Sequence, residues 1–186
     1  MRNLLILGGS GFVGRALCGK LVQRFGAAGA RITVPSRRPA RAKPLITLPT
    51  VEVVGADLHD DVQLARQVAG RDAVINLVAI LHGSPAAFEH AHVALPQRLA
   101  RACATAGVRR LLHVSALGVA DDAPSHYLRS KARGEAVLRA AGLDLTLLRP
   151  SVIFGAGDRF LNVFAQLQTL LPVVPLAGAD ARFQPV

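Results

Sequence analysis

Apolar residues along this chain fall into two alternating patterns. Short β-rich runs at residues 3–7, 31–34, 51–54, 73–78, 111–115 and 145–149 are separated by longer stretches of helical period. Phe12, Ala16, Leu17, Leu21 and Val22 make one helical stripe; Leu95, Leu99, Ala102, Cys103 and Ala106 make another. The run AVINLVA, residues 73–79, is nearly continuous in apolar character, as a strand covered on both faces requires. The pattern therefore predicts an α/β fold with a doubly wound parallel sheet. Right-handed crossovers would place every strand's C-terminal end along one rim, where ligands bind. Residues 37–49, with three prolines and four basic residues, read as a mobile loop rather than a domain linker.

The first run leads into GGSGFVG, Gly8 to Gly14, and then into the first helical stripe. Gly8, Gly11 and Gly14 fit G-x-x-G-x-x-G, while Gly9, Gly11 and Gly14 fit G-x-G-x-x-G. Both spacings make one demand: a strand must turn sharply into a helix whose backbone approaches a pyrophosphate with no Cβ in the way. The free N–H groups and positive dipole end of that helix then face the phosphates. A tight turn without ligand asks for similar residues, but the position after the first strand and before an amphipathic helix points to dinucleotide binding. Some 20 residues on, where an acidic side chain would select NAD(H), the chain has Val34-Pro35-Ser36-Arg37-Arg38. Arginine forks suit a 2′-phosphate and Ser36 adds a donor, so NADP(H) is the preferred cofactor and NAD(H) the alternative. Asp57, after the third strand, either accepts from the adenine amino group or caps the helix beginning near Asp60.

A second constellation is YLRSK, which sets Tyr127 and Lys131 four apart on one helix face. An ammonium beside a phenol favours the phenolate, so the pair can do general acid-base work. Ser115, ending the fifth strand run, is expected on the ligand rim, where its hydroxyl could hold a substrate oxygen.

Charge and composition narrow the alternatives. Lys and Arg total 22 against 12 acidic residues, giving a net charge of +10, which suits a polyanion, an anionic membrane surface or an acidic protein. The arginines are scattered and no basic stripe is interleaved with aromatics, which argues against nucleic acid. No apolar run reaches the ~18 residues of a membrane span, and Leu4 to Leu7 is too short for a signal segment, so a cytoplasmic location is expected. The two cysteines, Cys18 and Cys103, lie far apart inside helical patterns and read as buried small residues. His90 and His92, two apart, project from different sides of a helix, and no cluster has metal-ligand spacing, so no metal is expected. His113 reads as a core or rim histidine, and Glu135 as a surface partner or packing residue.

Together, GGSGFVG, HVSALG (residues 113–118), YLRSKARGE (127–135) and LLRPSVIFGAGD (147–158) make the chain resemble a short-chain dehydrogenase/reductase of the extended or atypical kind, the NAD-dependent epimerase/dehydratase family with a Rossmann fold. In SHYLRSKARGE, RPSVIFG and DRFLNVF it is most similar to the branch that includes the nucleotide-binding accessory subunit of respiratory complex I and its bacterial relatives. The resemblance implies that Tyr127 is the general acid-base residue, with Ser115 beside it. Lys131 would bind the nicotinamide ribose and lower the tyrosine pKa. The implied cofactor contacts are Gly8, Ser10, Gly11, Phe12, Val13 and Gly14 in the turn, Ser36, Arg37 and Arg38, and Asp57 with Leu58. Val78 and Ala79 would line the adenosine ribose, and backbone around Pro150 and Val152 would meet the carboxamide. Two departures stand out: Ala116 and Leu117 follow Ser115 where a Ser/Thr run is usual, and His92 takes a place where Asn is usual. Activity on a small carbonyl or hydroxyl compound is implied. The nearest resemblance favours a nucleotide-retaining subunit docked on a membrane complex, peripheral at the inner membrane. The domain is expected to fill residues 1–186, with about 150–186, including an apolar helix around 160–171, beginning a small substrate lobe that continues beyond Val186.

Overall fold

The computed structural model describes residues 3–26, 29–158, 162, 167–169 and 185–186. Six strands form one parallel sheet: β1 (Asn3–Leu7), β2 (Arg31–Ser36), β3 (Val51–Gly55), β4 (Ala73–Asn76), β5 (Arg110–Val114) and β6 (Asp144–Leu148). Their spatial order is β3-β2-β1-β4-β5-β6, so the chain reverses its direction of winding between β1 and β4. That reversal opens a crevice at the strands' C-terminal ends.

The alternation of β1 explains the two layers. Leu4 and Ile6 point to one face and join Cys18 of α1 (Phe12–Phe25) and Leu45 of α2 (Lys43–Ile46). Leu5 and Leu7 point to the other and pack with residues of α3 (Asp61–Val68), α5 (Leu95–Ala106) and α6 (His126–Arg139). Both cysteines are buried in these layers. A short α4 (Pro85–Glu89) runs through a π-helical turn, His90–Ala94, into α5.

Several edges differ from the sequence expectation. β4 stops at Asn76, because the Asn76 side chain accepts from the Val78 N–H at 3.1 Å and turns the chain out of the ladder. β2 runs on to Ser36 through Pro35. Ile32 N and Ser36 O bond towards β3, so the donor that Pro35 lacks would face β1, whose ladder with β2 ends at Thr33. Residues 37–49 are not the loose loop expected: they form a 3-10 turn at Pro39–Ala42 followed by α2, with Ala42 and Leu45 buried. Pro39 and Pro44 stand in the first turns of these pieces, where proline costs no hydrogen bond. Most of the helix expected around 160–171 lies outside the described residues. The chain divides into two compact units, Met1–Arg149 and Pro150–Val186. In the second, Asp158 accepts from the Gly155 and Asn162 backbone N–H groups at 3.1 and 3.2 Å.

Candidate functional site

Where β1 turns into α1 the backbone is compressed enough to exclude a Cβ at Gly8 and Gly14. Gly8 has φ +76°, and a Cβ there would lie 3.0 Å from the Leu77 carbonyl carbon. At Gly14 a Cβ would sit 2.5 Å from the Gly9 carbonyl oxygen. These two glycines are requirements of the turn itself. Gly11 differs. It is the N-cap of α1 with φ −75° and ψ 179°, a conformation any residue adopts, and it is exposed. Caps normally favour Ser, Thr, Asp or Asn, whose side chains occupy the first amides. Here no side chain caps the helix and no acidic residue stands in its first turn, so its N–H groups are left to an anion. The residues present therefore fit a pyrophosphate.

Beside this turn is a cavity of about 620 Å³. Gly8 and Ser10 contribute from the turn, Ser36, Arg37 and Arg38 from the end of β2, Asp57 and Leu58 from the end of β3, and Val78 from the loop after β4. Four separated stretches that the sequence singled out thus meet at one place. Gly11, Phe12, Val13 and Gly14 form the adjoining first turn of α1, and Ala79 lies exposed next to Val78. Ser36 Oγ accepts from the Arg38 N–H at 3.2 Å, which folds the two arginines back over the strand end. Asp57 is not the cap of α3. Asp60 fills that role, accepting from Val62 and Gln63, while Asp57 accepts from the His59 N–H at 3.0 Å.

Sequence reading missed Arg41, His59 and Leu95, which also line the cavity. Arg41 arrives there because its segment is helical, a turn that proline-rich composition had concealed. His59 stacks on the exposed His90 with ring centroids 3.6 Å apart. Burial first, then the neighbouring His90, holds its pKa below the usual imidazole value.

The second group lies on α6 and the end of β5. Ser125 caps α6, accepting from the Leu128 N–H at 3.1 Å. Lys131 is 1% exposed and its Nζ donates to the Val114 carbonyl at 2.7 Å, fastening α6 to β5. Burial pulls its pKa down to about 8 against the opposing pull of Glu135. Tyr127 is half-buried, with its ring edge-on to His92 and Phe88. Burial pushes its phenol above the ordinary value, whereas the neighbouring ammonium had been expected to lower it. Removal of water from around the phenolate form is the cause.

Ser115 is not an open rim residue. Its N–H donates to Leu148 O at 2.7 Å, continuing the ladder and drawing it inside, and its hydroxyl is buried. Glu135 is a buried ion rather than a surface residue: Arg149 grips it with Nε to Oε1 at 2.9 Å and a second bond to Oε2 at 2.6 Å. His113 is buried and pairs through Nδ1 with the Asn76 amide at 3.1 Å; burial pushes its pKa down to about 3. Pro150 and Val152 belong to the second unit. Among the described residues no group of three or more His, Cys, Asp or Glu could hold a metal. No helix of the described residues is long and apolar enough to cross a membrane.

The model of the NAD(P)H-binding family matches residues 8–159. The chain is 30% identical over 186 residues to "NADH dehydrogenase [ubiquinone] 1 alpha subcomplex subunit 9, mitochondrial" of Dictyostelium discoideum, covering 97% of this chain and 51% of the relative. It is 32% identical to a ceramide reductase of Caulobacter vibrioides, covering 95% of this chain and 54% of that protein. The chain thus spans about half the length of the curated relatives it matches. Among solved structures, a dTDP-glucose 4,6-dehydratase double mutant from Streptomyces venezuelae with NAD bound superposes with TM-score 0.84 at 27% identity, over 100% of this chain and 68% of that one.

Proposed function

The chain belongs to the NAD(P)H-binding family, and on that premise we propose that it binds NADP(H) and reduces a carbonyl compound, with Tyr127 as proton donor. The observation that carries the reading is the cavity wall. Ser36, Arg37, Arg38 and Arg41 gather beside the glycine turn, and the end of β2 offers no carboxylate to a ribose 2′-hydroxyl. Guanidinium forks neutralise and hydrogen-bond a 2′-phosphate, whereas a bare ribose leaves them unmatched.

In this reading the α1 amides hold the pyrophosphate, Asp57 and Leu58 meet the adenine, and Val78 and Ala79 border its ribose. The bound cofactor supplies a hydride from its nicotinamide. Lys131, whose Nζ donates to Val114 O, would bind the nicotinamide ribose in this reading. Burial keeps the Tyr127 phenol protonated at neutral pH, so the residue suits a general acid that delivers a proton as a substrate oxygen gains charge. The buried Ser115 hydroxyl reaches substrate only if its surroundings open.

A second reading rests on the complex I subunits among the relatives and on the +10 net charge: the nucleotide stays bound while the protein docks on an acidic partner or membrane surface. The deciding measurements are titrations with NADPH and NADH, the identity of any nucleotide released on denaturation, and turnover over a carbonyl panel. Tighter NADH binding would overturn the cofactor assignment. Retained NADPH with no turnover and salt-sensitive membrane association would replace the reductase with the docked subunit.

A further inference from the structure

His92 sits in the π-helical turn between α4 and α5, 2% exposed. Such turns insert an extra residue into a helix and often mark functional sites. Its surroundings determine its protonation state without ambiguity. The Ile80 N–H points at Nε2 at 3.1 Å, and a backbone amide can only donate, so Nε2 carries no proton. The neutral ring therefore bears its hydrogen on Nδ1, which donates to Ser130 Oγ at 2.8 Å. Ser130 in turn gives its own hydrogen to the Tyr127 carbonyl oxygen at 2.7 Å. The ring plane is held by Phe88, stacked with centroids 5.6 Å apart, and by the Tyr127 ring edge-on at 5.4 Å. Gly134 completes the arrangement: a Cβ there would collide with the His92 carbonyl oxygen, so glycine is what lets α6 approach the turn.

We propose that His92 is a positioning residue that locks the loop after β4 to the helix carrying Tyr127 and Lys131, through the one-way chain Ile80 N–H to His92 to Ser130 to the Tyr127 carbonyl. Ile80 follows Val78 and Ala79, so the chain joins the wall of the nucleotide cavity to the helix of the acid-base pair. The role in cofactor binding rests on the functional reading above, whereas the lock is made of hydrogen bonds within the chain.

The test uses the whole chain and amide hydrogen exchange at Ile80. Ser130→Ala removes a hydroxyl that never touches the loop. With Nδ1–H unpartnered, the tautomer is no longer held, and Ile80 exchange is expected to accelerate roughly tenfold while β1 and β4 amides keep their protection, the fold control. His92→Gln, whose amide reaches the Nε2 position, should retain Ile80 protection; His92→Asn, which reaches only the Nδ1 position, should lose it. NADPH Kd should rise roughly tenfold in His92→Asn and be rescued in His92→Gln. Unchanged Ile80 exchange in Ser130→Ala, the reverse order of the two His92 variants, or an unchanged Kd in His92→Asn overturns the proposal. If the native protein binds neither dinucleotide, the functional reading fails and the exchange data still decide the lock.

Discussion

Two glycines of α1 make opposite predictions for the same substitution. A Cβ at Gly19 would meet nothing within 4 Å, so Gly19→Ala removes only glycine's backbone entropy and should stabilise by about 0.8 to 1 kcal/mol. For a chain of 186 residues that corresponds to a rise in Tm of roughly 2–4 °C. A Cβ at Gly14 would collide with Gly9 Cα and stand 2.5 and 2.6 Å from the carbonyl oxygens of Gly9 and Gly8. All three are backbone atoms, so relief requires α1 to retreat by about 1 Å to an ordinary separation of ~3.5 Å. Overpacking of this kind costs about 1–3 kcal/mol, offset by the same ~1 kcal/mol of helix propensity, which leaves a net loss of up to ~2 kcal/mol. The functional effect should be larger than the structural one, because the retreating atoms are the amides offered to the pyrophosphate; losing one charge-assisted bond is ~1.5–3 kcal/mol, or more than tenfold in Kd. Thermal melts and NADPH fluorescence titrations of both variants test this. A Gly14→Ala protein that binds NADPH as tightly as the native one, or a Gly19→Ala protein that melts lower, refutes the reasoning.

Three further outcomes are expected. Replacing Arg37 and Arg38 together by Ala should weaken NADPH binding by at least tenfold and leave NADH nearly unchanged by calorimetry, since only the 2′-phosphate loses its partners; equal losses for both cofactors would count against the cavity assignment. Tyr127 is the single tyrosine and there is no tryptophan, so the phenolate absorbance rise belongs to one residue and should have its midpoint above ~10; Tyr127→Phe should abolish that signal and turnover while sparing NADPH binding. Burial, with a smaller push from Lys131, lowers the pKa of His92 to about 4 and of His113 to about 3 in the fold, against 6.5 as their ordinary value. Between those limits the unfolded chain binds more protons, so stability is full above pH ~6.5 and falls with pH by up to ~1.4 kcal/mol per unit for each histidine; a urea midpoint constant from pH 6 to 5 would contradict this.

Much of the site was legible because its signals are local. A glycine spacing behind a strand, two arginines at the end of the next, and Tyr and Lys one helical turn apart each constrain only their own few residues. The doubly wound sheet was legible for a related reason: strand and helix periods are read within a dozen positions, and parallel strands need crossovers of one hand. What the pattern of side chains could not announce was anything set by partners from elsewhere. Arg41 joined the cavity through a helical turn masked by prolines, and β4 ended early because Asn76 bonds Val78 and His113. Glu135 became a buried ion because Arg149, directly after β6, reaches it.

The chain's order of residues alone therefore determined the elements, their winding and the basic residues at the end of β2, since each follows from spacing along the backbone. Only tertiary structure decided the charge states and hydrogen-bond directions of Tyr127, Lys131, His92 and Ser115. Those depend on how much water is removed and which donor or acceptor faces each atom, quantities that exist only once distant segments have packed.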